Sequence, residues 1–227
     1  MQQVVFRDLG LIEYKKAWDY QEMLFQEIIY IKSRNRKKGT NLATQSHLLF
    51  CEHPNVYTLG KSGDEKNLLV NKDYLKSRSA TFYKINRGGD ITFHGPGQLV
   101  IYPLIDLDCF FTDIGRYIRL LEQTVIDTLA EFDISAGRIS GLSGVWIDPN
   151  TEKARKVCAV GVHLSRWVTM HGLALNVNTD LSHFSKIIPC GISDKAVTSM
   201  QKELDKKMDI DLVKERFKHN FIRIFGI

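Results

Sequence analysis

Lys156-Val157-Cys158-Ala159-Val160-Gly161-Val162-His163 is an apolar run of strand length with a lysine at its head. It stands in a series. Residues 144–147 before it, and residues 167–170 and 173–177 after it, are also short, apolar and strand-like. No helical period separates the four, so they read as antiparallel neighbours and not as βαβ units. The fold class that follows is α+β: a mixed, largely antiparallel sheet flanked by helices, which the pattern sets on one side. A doubly wound sheet is disfavoured.

Working outward, Val4-Val5-Phe6 reads as a first strand and residues 14–33 as an amphipathic helix bearing Trp18, Leu24, Ile28 and Ile31. Residues 46–51 and 56–60 are strand-like on either side of a turn at His53-Pro54-Asn55. Residues 61–67 form a polar loop, 71–77 a short helix, 81–85 a strand. Residues 87–97 read as a glycine-rich turn and 98–105 as a strongly apolar strand. Residues 114–132 have helical spacing, with Ile118, Leu121, Val125 and Leu129 on one face. Residues 211–225 give a last amphipathic helix, capped by Asp209 or Asp211. With no internal repeat and no long linker, residues 1–227 read as one domain, and the last ~40 residues allow a small helical appendage.

The composition excludes several classes. The chain has 227 residues, 44% hydrophobic and 25% charged, which is neither disordered nor fibrous. No apolar stretch is long enough for a membrane span, and residues 1–13 do not resemble a secretory signal. Thirty-one Lys and Arg against 26 Asp and Glu give a net charge of +5, which suits nucleic acid or an acidic protein partner equally. The densest basic cluster, residues 32–39, lacks interleaved aromatics and reads as a solvated helix end. Four cysteines without a CxxC pair point to reduced thiols in a cytosol-like compartment.

Chemistry concentrates in four segments. Residues 87–98 place four glycines with Arg87, Asp90 and His94, a composition that brings backbone N–H groups close to a ligand or simply makes a tight turn. The segment matches neither GxGxxG nor GxxxxGK[ST]. Lys156 is either a surface strand end or, if partly buried, a usable base. By strand alternation Lys156 and Cys158 share a face. Residues 170–178 carry His171. Cys190, between Pro189 and Gly191, sits on a sharp turn: it is either an ordinary buried cysteine or a thiolate nucleophile beside backbone donors. Cys51 and Cys109 read as core residues. The spacing of His94, His163, His171 and the cysteines matches no zinc pattern, so no metal is expected.

Together these segments resemble the octanoyltransferase family of lipoate biosynthesis. The resemblance rests on His53-Pro54 with Tyr57-Thr58-Leu59-Gly60, then RGGDITFHGPGQLVIYPLIDL from Arg87 to Leu107 and Gly144-Val145-Trp146-Ile147. It continues with KVCAVGVHLSRWVTMHGLALNVNTDL from Lys156, FSKIIPCGI from Phe184 and Val197-Thr198-Ser199. It covers roughly residues 46–200 in order. The resemblance implies the biotin/lipoate protein ligase fold and transfer of an octanoyl group from acyl carrier protein to a lysine of a lipoyl domain or glycine-cleavage H protein. It implies Cys190 as the acyl-thioester nucleophile and Lys156 as its partner. It implies three substrate-binding segments: Arg87, Gly88, Gly89, Asp90, Ile91, Thr92, Phe93 and His94; Ala159, Val160 and Gly161; Gly172, Leu173 and Ala174. It further implies no cofactor and no nucleic acid or membrane partner; a cytoplasmic location and a monomer are the default expectations. Cys158 stands where the family usually has Ala or Ser, which raises the question of its coupling with Cys190. The rival readings are an ATP-dependent lipoate or biotin ligase on the same scaffold, and a non-catalytic module that binds lipoyl domains or carrier proteins.

Overall fold

The computed structural model describes residues 4–188 and 196–227. In chain order, β1 (Val4–Leu11) leads into α1 (Tyr14–Lys38), β2 (Ser46–Glu52) and β3 (Val56–Leu59). Then come α2 (Lys72–Ser77), β4 (Thr81–Lys84), β5 (Ile91–His94), β6 (Gln98–Leu104) and α3 (Ile114–Ala130). The hairpin β7 (Gly137–Ile139) and β8 (Leu142–Ile147) precedes β9 (Arg155–Ser165) and β10 (Val168–Asn176). The chain ends with β11 (Ala196–Val197), α4 (Met200–Leu204) and α5 (Ile210–Phe225).

The large sheet runs β1-β2-β6-β10-β9-β8-β7, with β11 paired to β9. The β1–β2 and β11–β9 pairings are parallel and the others antiparallel. The mixed α+β class therefore holds, but the helices lie on both faces and not on one. Leu49, Cys51, Val100, Tyr102 and Ala174 meet Ala17, Leu24, Phe25 and Ile28 of α1. Their strand neighbours Leu48, Phe50, Leu99, Ile101 and Leu175 meet Leu121 and Val125 of α3 and Phe217 and Phe221 of α5. Every residue of β6 and β10 is buried, which is why β6 reads as a strongly apolar strand.

Several local readings change. The glycine-rich turn contains β5, which pairs antiparallel with β3 in a second sheet ordered β4-β3-β5. Two short strands merge into β10, because pairing with β9 continues from Val168 to Leu175 through His171 in the left-handed region at φ 60°. Helix α1 runs five residues beyond the expected end to Lys38 and stops at Gly39, whose φ of 62° an L side chain resists. Asp209, not Asp211, caps α5, accepting from the N–H groups of Asp211 and Leu212. Cys51 is buried as expected, but Cys109 is exposed: Leu107 takes the buried place in that short 3₁₀ turn and rotates Cys109 outward. Among the described residues no helix is long and apolar enough to cross a membrane.

The C-terminal segment is no appendage. Val213, Phe217, Phe221 and Phe225 recur every four residues on one face of α5 and enter the main core. Phe217 meets Phe50 of β2 edge-on at 6.1 Å, and Phe221 stacks on Phe225 at 4.2 Å. Phe221→Ala should cost about 3–5 kcal/mol of stability, read as a lower urea midpoint of the main transition. An unchanged midpoint would mean that α5 is dispensable to the core.

Candidate active site

A cleft of about 1060 Å³, its mouth included, opens between the small sheet and the β6-β10-β9 face of the large one. Thirteen of the fourteen expected substrate-binding residues line it: Arg87, Gly88, Gly89, Asp90, Ile91, Thr92 and His94, then Ala159, Val160 and Gly161 of β9, then Gly172, Leu173 and Ala174 of β10. Lys156 lines it too. Phe93 does not; its ring stacks on His183 at 4.3 Å and packs on Tyr57 at 5.2 Å in the small sheet's own core. Cys190 lies outside the described residues, as do Pro189, Gly191 and Ile192. The segment that follows them, Ala196 and Val197, lines the cleft and pairs with Arg155 and Lys156.

Sequence reasoning missed other walls. Tyr14, the first residue of α1, enters between the sheets and stacks on His94 at 6.0 Å and on Tyr83 at 5.6 Å. Gln98 and Asn176 are buried amides on strands of otherwise apolar character, and that polarity was the available signal. Trp146, expected on a strand and within a resemblance motif but not as a site residue, lines the cleft beside Lys156.

Two clasps hold the glycine-rich segment, one on β3 and one on β9. Arg87 donates through Nη2 to the Thr58 carbonyl at 2.7 Å and the Thr58 hydroxyl at 2.9 Å, and through Nη1 to the Gly88 carbonyl at 3.0 Å. The Gly88 N–H donates to the Val162 carbonyl at 2.9 Å. The approach is close enough that a Cβ on Gly161 would lie 2.9 Å from the Gly88 carbonyl oxygen, so glycine is required there. Asp90 accepts from Asn67 Nδ2 at 2.6 Å and from the Ile91 N–H at 2.6 Å, which pins the start of β5.

Lys156 and Cys158 do not share a face. Trp146 pairs with Lys156 and Val145 with Cys158, so β9 uses two steps where β8 uses one. That bulge at Val157 resets the alternation. Lys156 turns to the cleft, whereas Cys158 turns into the core among Val145 and Leu175. Burial, the largest effect, pushes the Cys158 thiol well above its ordinary range, which leaves it unreactive. The Lys156 ammonium lies 4.6 Å from the centre of the Trp146 ring. Its backbone carbonyl accepts from the Thr198 N–H at 2.9 Å.

The histidines here are neutral. Burial first, then His53, lowers His94 to about 3. Burial first, then Arg87, lowers His171 to about 3. Burial lowers His53 to about 4. His94 Nδ1 faces the Gln98 carbonyl oxygen at 2.7 Å and His171 Nε2 the Asn86 carbonyl oxygen at 2.8 Å, so these nitrogens carry the protons. No group of three or more His, Cys, Asp or Glu that could hold a metal exists among the described residues.

The family comparison now decides the assignment. Residues 13–222 match the lipoyl protein ligase A/B catalytic domain family. The octanoyltransferase of Christiangramia forsetii is 56% identical over 98% of this chain and 96% of its own. That of Flavobacterium johnsoniae is 55% identical over 98% and 96%. The chain belongs to the octanoyltransferase family. It is an acyltransferase of lipoate biosynthesis. Among solved structures, the bipartite lipoate protein ligase of Thermoplasma acidophilum superposes with a TM-score of 0.73, covering 100% of this chain and 85% of that one. At 17% identity this likeness concerns the fold alone.

The histidine shifts set a pH dependence. With folded values of about 3 to 4 against an ordinary 6.5, the unfolded chain takes up protons first as pH falls. Their contribution is whole above pH 6.5 and is lost towards pH 4, at up to about 1.4 kcal/mol per pH unit for each group. The urea midpoint should drop between pH 7 and pH 5, and His94→Gln should flatten that drop. A midpoint that does not move would show these rings to be charged or unburied.

Proposed function

We propose that the chain carries an octanoyl group from octanoyl-acyl carrier protein to one lysine of apo lipoyl domains and of glycine-cleavage H protein. Cys190 is the thioester-forming nucleophile and Lys156 its partner, and the thirteen cleft residues with Phe93 behind them form the substrate site. Residues 1–227 act as one monomeric, cytoplasmic domain without a cofactor. The observation that carries this reading is convergence: three segments far apart in sequence meet Lys156 around one cleft, in a chain 56% identical to an octanoyltransferase.

The chemistry follows in two steps. The Cys190 thiolate attacks the donor thioester carbonyl, a new C–S bond forms, and the carrier's thiolate leaves. Thioester replaces thioester, so the step is close to isoenergetic. The acceptor amine then attacks the acyl-cysteine, an amide forms, and the Cys190 thiolate leaves as Lys156 takes the amine proton. A positive Lys156 favours the thiolate in the first step by Coulomb attraction and gives its proton to the departing carrier thiolate, so the neutral amine that remains serves as base in the second. Val100, Leu173 and Ala174 give the cleft an apolar wall for the chain, at about 0.8 kcal/mol per buried CH₂. Neutral His94 and Tyr14 stack together on the same cleft without adding charge.

Incubation with octanoyl-carrier protein, without ATP, should give an octanoyl adduct by intact mass that moves to an apo lipoyl domain. Cys190→Ser should abolish the adduct. Lys156→Ala should lower transfer by at least about 100-fold with the fold intact. Transfer at the wild-type rate by Cys190→Ser would remove the nucleophile. A requirement for ATP and free acid would favour the ligase reading.

A further inference from the structure

We infer that Trp146 is a positioning residue for acyl transfer: its indole face seats the Lys156 ammonium in the cleft, in a slot left open by Gly144. The inference rests on the proposed role of Lys156. Trp146 and Lys156 are partners across the β8–β9 ladder, placed opposite one another by the bulge at Val157. The ammonium lies 4.6 Å from the ring centre, within the range where a cation is drawn to the negative face of an indole. Trp146 is 3% exposed, and its Nε1–H is buried without a hydrogen-bond partner among the described residues. A buried tryptophan ordinarily pairs that group. The donor therefore does not account for the residue, whereas the ring face beneath a cation does.

Gly144 completes the seat. A Cβ there would lie 3.4 Å from Lys156 Cε and 2.5 Å from the Cys158 carbonyl oxygen, and its φ of 112° disfavours any side chain. The hairpin that carries both residues is fixed from behind by Glu122 of α3. That buried carboxylate accepts from the Gly144 N–H at 2.8 Å and from Arg138 Nε at 3.0 Å. A flexible four-carbon stem thus ends at a fixed point, and the cation–ring attraction favours the ammonium over the amine.

The test measures acyl-enzyme formation from octanoyl-carrier protein against pH for the full chain. Trp146→Leu should slow it roughly three- to thirty-fold, the range that a cation–ring contact spans. Because the ammonium loses support, the alkaline limb of the profile should move to lower pH, by about 0.5 to 1.5 units. Trp146→Phe keeps an aromatic face and should recover most of the rate. If Trp146→Leu matches wild type while Lys156→Ala is inactive, the inference falls and the role of Lys156 stands. Equal slowing by Leu and Phe with an unmoved limb would reduce Trp146 to a filler and also overturn it. A fully active Lys156→Ala would overturn the proposed function and this inference together. Should Trp146→Leu fail to fold, the indole ¹⁵N–¹H resonance of Trp146 decides. It should titrate with pH in the wild type and stop doing so in Lys156→Met; an identical titration in both overturns the inference.

Discussion

A one-way chain of buried hydrogen bonds holds the site together. His94 on β5 donates to the Gln98 carbonyl oxygen at 2.7 Å, Gln98 donates to the Asn176 carbonyl oxygen at 2.9 Å, and Asn176 donates to the Thr198 backbone carbonyl at 2.9 Å. These groups lie on the small sheet, on β6, on β10 and beyond β11, so one relay ties two sheets to the strand beside Lys156. All four residues are buried, and each unmade link would leave a buried polar group unpaired at a cost of about 1–3 kcal/mol. Satisfaction leaves little choice of geometry. Gln98 also donates to the Phe93 carbonyl at 3.1 Å, so its amide cannot turn over without losing two bonds.

Burial sets the electrostatics of the cleft. It keeps His94 neutral even though the bond from Nδ1 to Gln98 favours the charged ring, and it keeps His53 and His171 neutral as well. The cleft therefore presents uncharged rings and apolar strand residues along most of its wall, with Arg87 clasped to Thr58 and Lys156 on the Trp146 ring. Such a surface matches an uncharged acyl chain that ends in a carbonyl, the only part of which that becomes charged is the oxygen of the tetrahedral intermediate. A cationic histidine in the wall would add a desolvation cost without a partner in the substrate.

What the sequence revealed follows from how locally each feature is determined. Strand β6 was legible because burial on both faces gives an unbroken apolar run, β9 from its apolar residues, and α3 and α5 because their buried residues recur at helical spacing. Strand β5 was hidden: four residues between glycines become a strand through pairing with β3. The faces covered by α1 and by α5 depend on chain path, which an amphipathic stripe does not encode. Thirteen of the residues expected from the motifs line the one cleft, while Phe93 lies inside the same motif and packs behind it. Tyr14 reaches the cleft from a helix with no motif at all.

The relation of Lys156 to Cys158 shows the limit most sharply. Two residues apart on a strand share a face only if the ladder is regular, and regularity belongs to the pair of strands, not to either one. The extra residue of β9 against β8 is invisible in the apolar run Val157-Cys158-Ala159-Val160, where every residue is small and any would tolerate either face. The consequence is chemical. A thiol on the cleft side would sit beside a lysine that favours thiolate, where oxidation and acylation both become accessible. Turned into the core, the same thiol donates weakly to the Ala159 carbonyl at 3.6 Å, and burial keeps it protonated. One inserted residue thus separates the cleft side of the strand from its packing side, and it keeps the Cys158 thiol in the core and off the face that carries Lys156.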